Sequence, residues 1–129
     1  MIAIDTNVVV RYLTGDHPAQ SAKARALIDA HPIFVSVTVM LESEWVLRGA
    51  YDFARADVVN ALRAFAGLPT VTIAEESFVA AALDLCEDGM DFADALHLSL
   101  SAGCERFVTF DLKFVKAAKG AATPDVHSI

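Results

Sequence analysis

Apolar residues in this chain come in short uninterrupted runs, separated by longer segments in which they recur every third or fourth position. That is the pattern of short buried strands alternating with amphipathic helices. The runs Met1-Ile2-Ala3-Ile4, Ile33-Phe34-Val35-Ser36, Thr70-Val71-Thr72-Ile73 and Arg106-Phe107-Val108-Thr109-Phe110 predict four strands. Helices are predicted from about Thr6 to Leu13, from Pro18 to the His31-Pro32 pair, from Val39 towards Tyr51, and from Ala54 to Ala66. Further helices follow from Glu75 to Cys86, from Asp91 to Leu100, and behind Asp111. The opening strand, short and wholly apolar, fits the centre of a parallel sheet, where both faces are covered.

The boundaries carry their own signals. Thr14-Gly15-Asp16 ends the first helix, and Pro18 is preorganised for the first position of the second. His17 and His31 read as boundary residues. Ser36 or Thr38 caps the next helix, Gly67-Leu68-Pro69 stops the one after, and Gly103 closes the helix opened by Asp91. The tail from Thr123 to Ile129 supports at most one weak strand. Strand–helix alternation of this kind predicts a three-layer α/β/α sandwich with a mainly parallel sheet of four to five strands, in one domain spanning residues 1–129.

With 129 residues, 55% of them hydrophobic, the chain has ample material for a core. No basic leader opens it, and no apolar stretch reaches the roughly 18 residues needed to cross a bilayer; the expectation is a soluble, cytoplasmic protein without a membrane partner. Cys86 and Cys104 lack His or Cys neighbours at ligand spacing and read as buried thiols. The formal charge of −7 argues against the broad basic surface of most nucleic-acid binders, so a phosphate substrate would require a cation. The apolar excess also points to surface covered by another subunit.

The acidic residues are unevenly placed. Asp5 stands at the carboxyl end of the first strand, where open α/β sheets bind ligands, although it is equally suited to cap the helix behind it. Glu44 has Arg48 at i+4 and reads as a solvated surface pair. Glu42 shares its helix sector with Val39, Trp45 and Val46 and is expected to face the protein. Asp91 caps its helix, placing Asp94 in the first turn, where the helix dipole favours an acid; His97 lies one turn further on. Asp111 repeats the geometry of Asp5 past the fourth strand. Glu75, Glu76, Glu87 and Asp88 are expected to face water. Four carboxylates within roughly 5 Å of one another would repel by about 3 kcal/mol per pair at an effective dielectric of 20. Such a cluster requires protonation or a metal, and an all-oxygen ligand set suits Mg²⁺ or Mn²⁺ rather than zinc.

Asp5-Thr6-Asn7 after an opening strand, Thr38-Val39-Met40-Leu41-Glu42, Asp91-Phe92-Ala93-Asp94-Ala95 and Val108-Thr109-Phe110-Asp111 occur in the order and approximate spacing of PIN-domain nucleases. The chain most resembles the VapC toxins of bacterial toxin–antitoxin pairs, and the likeness includes Trp45-Val46-Leu47-Arg48. The resemblance implies a metal-dependent ribonuclease with Asp5, Glu42, Asp94 and Asp111 as its acidic site, Asp5 and Asp94 foremost as Mg²⁺ ligands. It implies that Asn7 and Thr109 support these acids, that Asp91 adds a further carboxylate, and that Arg11 and Lys113 are placed to assist RNA. It also implies a homodimer and a small antitoxin that blocks the site, for which the helices from Glu42 to Leu68 are the expected contact.

Other readings are a PIN-type nuclease of RNA processing outside toxin systems, and a binding module that keeps the fold with an inactive site; the latter is disfavoured because none of the four acids is missing. A phosphatase of the haloacid dehalogenase type also places Asp after its first strand but needs a second acid two residues later, where this chain has Asn7.

Overall fold

Among the described residues five strands and seven helices follow one another: β1 (Ile2–Ala3), α1 (Thr6–Thr14), α2 (Pro18–Ala30), β2 (Ile33–Val35), α3 (Val37–Gly49), α4 (Arg55–Ala66), β3 (Val71–Ile73), α5 (Glu76–Glu87), α6 (Phe92–Ser99), β4 (Phe107–Thr109), α7 (Leu112–Ala118) and β5 (Val126–Ser128). The computed structural model describes residues 1–121 and 124–129. The chain divides into two compact units, Met1–Glu76 and Ser77–Ile129.

In the first unit β1, β2 and β3 form one parallel sheet in that order, with Ile2 opposite Ile33 and Val35 opposite Ile73. The centre belongs to β2, whose Ile33 and Val35 are fully buried. β1 is not the buried central strand expected from its composition: it lies at one end of this order, and both of its residues are exposed. Burial in this stretch begins at Ile4 and resumes at Thr6, Val9 and Val10 as the chain turns into α1. Val9, Ile28, Met40, Leu47, Val58, Leu62 and Phe65 fill the core of this unit, and Tyr12 meets Phe65 edge to face at 5.7 Å.

In the second unit β4 and β5 pair in parallel, Phe107 opposite Val126 and Thr109 opposite Ser128. The tail therefore carries its one strand; its first residue, Thr123, lies outside the described residues. Buried here are Val79, Ala82, Leu83, Phe92, Ala95, Leu98 and Phe114. Cys86 is buried as expected, whereas Cys104 is exposed, because it follows the end of α6 in a surface turn instead of continuing the helix. Among the described residues no helix is long and apolar enough to cross a membrane.

α3 corrects the sequence in a second respect. Its buried stripe is Met40, Ser43, Glu44 and Leu47, while Glu42 is exposed and Trp45 is 64% exposed. The helix is rotated away from the phase its bulkiest apolar residue implied. What permits an acid in the buried stripe is the expected i+4 partner: Arg48 donates to Glu44 through Nε at 2.8 Å and Nη2 at 3.4 Å. Ser43 has no such support, its Oγ being fully enclosed with no hydrogen-bond partner among the described residues.

α1 ends as predicted at Gly15, which adopts φ 65° and returns its N–H to the carbonyl of Arg11. Arg11 then ties three segments together. Its Nε donates to Gln20 on α2, and its Nη1 donates to Asp16 at 3.1 Å and to the Tyr51 hydroxyl at 2.9 Å. The Tyr51 hydroxyl in turn donates to Asp16 at 2.6 Å. The Tyr51 bond foremost, then that of Thr14, hold the Asp16 carboxyl below its ordinary value of 3.8 against an opposing effect of desolvation, with the charge and the bond of Arg11 each adding less.

Two outcomes follow from this packing. Ser43→Ala removes a buried, unsatisfied hydroxyl and should stabilise the protein by about 1 kcal/mol in urea unfolding; a loss of stability would show that Oγ is satisfied in solution. A depressed folded-state pKa contributes stability that is present above the unfolded value and lost as pH falls through the folded one. Tyr51→Phe should therefore raise the titration midpoint of Asp16 in a carboxyl NMR titration and reduce the acid-side loss of stability assignable to that group.

Candidate active site

Three of the acids singled out by sequence are helix caps. Asp5 precedes α1, and its Oδ1 accepts the N–H of Val8 at 3.2 Å. Asp91 precedes α6, and its Oδ2 accepts the N–H of Asp94 at 3.2 Å. Asp111 precedes α7, and its Oδ1 accepts from Lys113 N at 2.9 Å and Phe114 N at 3.3 Å. Each cap satisfies N–H groups that a helix start leaves without partners. A carboxylate has two oxygens and about four acceptor positions, so a cap at one oxygen leaves the other for a ligand while fixing the rotamer. Capping and ligation are compatible roles for one carboxylate.

In the first unit the capping turn also reaches Glu42. Thr6, the residue after Asp5, is buried and donates its hydroxyl to Glu42 Oε1. The end of β1 and the first turns of α3 are thereby joined at the two acids the sequence assigned to this unit. Glu42 reaches this position from the exposed side of α3, not from the buried face anticipated for it. Asn7 and Arg11 line a cavity of about 320 Å³ between α1 and α2, together with Val8, Gln20, Lys23 and Leu27. Arg11 meets that cavity already bonded to Asp16, Gln20 and Tyr51.

In the second unit Asp94 is half-buried in the first turn of α6. Burial first, then the negative charges of Asp91 and Asp111, hold its carboxyl above the ordinary value of 3.8, and His97 pulls weakly in the opposite direction. His97 itself is exposed. Asp91, Asp94 and Asp111 thus share one negative field. Thr109 Oγ1 accepts the N–H of Asp111 at 3.0 Å, which fixes the turn from β4 into α7, and the side chain of Lys113 projects from the first turn of that helix into solvent.

Among the described residues no three His, Cys, Asp or Glu side chains stand together closely enough to hold a metal ion. The fit of these residues to a cation lies in their chemistry. The donors are all carboxylate oxygens, the set suited to a hard divalent ion, and the field that raises Asp94 is one that a cation would relieve. The residue that sequence reasoning did not single out here is Thr6, whose β-branched hydroxyl between a strand end and a helix was the available sign.

A family model described as PIN domain matches residues 2–120. No curated protein and no solved structure matches the chain.

An acid whose folded-state pKa is raised contributes stability that is fully present below its unfolded value and is lost as pH rises through the folded pKa. Asp94→Asn should accordingly unfold at a temperature no lower than wild type at pH 7 in chelator, despite losing a favourable dipole interaction of about 0.3–1 kcal/mol. The difference should move against the variant as pH is lowered towards 4. A variant less stable by more than about 1 kcal/mol at pH 7 would show that the ionised carboxylate is well supported where it stands.

Proposed function

We propose, since the chain belongs to the PIN domain family, that this protein is a divalent-metal-dependent ribonuclease acting as the toxin of a toxin–antitoxin pair. Its architecture of seven helices with parallel strands is the three-layer α/β/α PIN fold, and PIN domains are generally metal-dependent nucleases. The observation that carries the ribonuclease reading is that the family match spans Asp5, Glu42, Asp94 and Asp111 together. We assign them metal ligation and catalysis, with Asp5 and Asp94 as principal ligands, Mg²⁺ as the ion and Mn²⁺ as its substitute. Residues 1–129 are assigned to one nuclease domain acting in the cytoplasm.

When bound, such an ion supplies Lewis acidity towards phosphate and lowers the pKa of coordinated water. The chain's own contribution is orientation. The Val8 amide fixes the carboxylate of Asp5, the Thr6 hydroxyl fixes Glu42, and the amides of Lys113 and Phe114 fix Asp111. Asn7, Thr109 and Asp91 are assigned supporting roles, and Arg11 and Lys113 are assigned to the RNA backbone. A homodimer and a cognate antitoxin contacting the Glu42–Leu68 region complete the toxin reading; its support is the motif likeness to VapC proteins, including Trp45-Val46-Leu47-Arg48.

Purified protein should cut total cellular RNA with Mg²⁺ or Mn²⁺ and not with chelator. Asp5→Asn should lower that cleavage by more than about 100-fold, since even residues behind a ligand cost about 10–100-fold when removed. Unchanged cleavage in the variant would overturn the site assignment. Absence of cleavage by folded, antitoxin-free protein would favour an inactive binding module.

A further inference from the structure

We propose that Phe110 is a stacking platform for an unpaired base of the RNA substrate, presented beside the acid Asp111. The inference rests on the ribonuclease reading above and names how the substrate is held.

Phe110 is 81% exposed, the most exposed of the large apolar side chains, and Leu112, at 70%, follows it on the other side of Asp111. A flexible loop residue can be exposed by default, but this one is held outward. Thr109, immediately before it, is the last residue of β4, and its carbonyl accepts the N–H of Ile129 at the end of the β4–β5 ladder. Asp111, immediately after it, donates its N–H to Thr109 Oγ1 at 3.0 Å and caps α7 through its side chain. The backbone on both sides of Phe110 is fixed, so the ring is displayed on a rigid turn. Its neighbours of the same type pack inward instead: Phe107 and Phe114 meet with ring centroids 5.3 Å apart.

A fixed, solvent-facing aromatic ring suits one ligand class in particular when it adjoins an acid assigned to phosphodiester cleavage. Single-stranded RNA is recognised through splayed bases stacked on aromatic side chains, and any base offers the required face. Asp111 beside the ring is negative, and the cations that suit the same occupant lie behind it on α7. Lys113, Lys116 and Lys119 are all exposed on and just after α7, a local concentration of cations in a chain whose net charge is −7. A phosphate backbone following those lysines would bring a base to Phe110.

The test compares wild type, Phe110→Ala, Phe110→Leu and Phe110→Trp on unstructured oligoribonucleotides, reading KM and kcat for cleavage, and 2-aminopurine fluorescence at successive positions of the RNA. Phe110→Ala and Phe110→Leu should raise KM by about 5- to 100-fold with kcat within about twofold, because a stacked base is worth about that factor. Phe110→Trp should retain wild-type KM, and wild type and the Trp variant alone should quench 2-aminopurine at one position near the cut. Wild-type KM in Phe110→Ala, or full rescue by Phe110→Leu, would overturn stacking while leaving the nuclease reading intact. Failure of wild type to bind or cut any RNA would overturn both. Loss of self-association in Phe110→Ala, read by sedimentation, with RNA binding unchanged, would assign the ring to a protein interface and overturn the proposal.

Discussion

A parallel strand cannot return through a tight hairpin, so its chain must leave the sheet and cross over, usually through a helix. In this protein the strands are two or three residues long, and three of them pass into a helix through a single side chain. Asp5 after β1, Ser36 after β2 and Asp111 after β4 each accept amide hydrogens from the first turn of the helix that follows. A helix start without such an acceptor loses about 0.5–2 kcal/mol. The constraint therefore selects short acceptor side chains at the carboxyl ends of the strands, which is also where an open α/β sheet meets its ligand. Two of the three are carboxylates, so the requirement of the fold falls on residues to which we also assign the chemistry.

This coincidence explains what was legible in the sequence. Strand followed by Asp, with a helical pattern behind it, located Asp5 and Asp111; Asp91 with an apolar stripe beginning at Phe92 located Asp94 in a first turn. These are local signals. Element boundaries set by Pro18 and Gly15 were equally local and fell where expected. Of the two cap candidates Ser36 and Thr38 it is Ser36 that caps α3, which starts at Val37, two residues before the expected Val39. The phase of α3 was not local. Val39, Trp45 and Val46 were the expected apolar face, whereas the buried stripe runs through Met40 and Leu47, a choice that depends on packing in the first unit. A buried Glu44 runs against hydropathy, and only its bidentate contact with Arg48 makes that phase tolerable. The depth of β1 was likewise misjudged, since apolar composition reports that a strand is suited to burial and not which strand takes the middle of a sheet.

The acids differ in how their charge is supported. Asp5 and Asp111 each accept backbone N–H groups from the first turn of the helix they cap. Asp94 also lies in a first turn, but its backbone amide is spent on Asp91, and the net effect of burial and of two neighbouring carboxylates is to disfavour its charge. Asp94 thus sits in the negative field of two neighbouring carboxylates that act as helix caps. A cation brought to that field would gain most at Asp94 and least disturb the caps, whose structural bonds use only one oxygen each.

The same economy governs the turn from β4 to α7. The hydrogen bonds that orient Asp111 also hold the backbone on either side of Phe110, whose side chain is exposed. An exposed phenylalanine gives up the roughly 1.5–3 kcal/mol that burial of its ring would contribute. A smaller or polar residue would satisfy the turn equally well, because neither flanking bond involves the side chain at 110. The backbone bonds account for the turn, whereas nothing in the turn calls for an aromatic side chain at 110, and a base stacked on the ring, as proposed, would supply that reason.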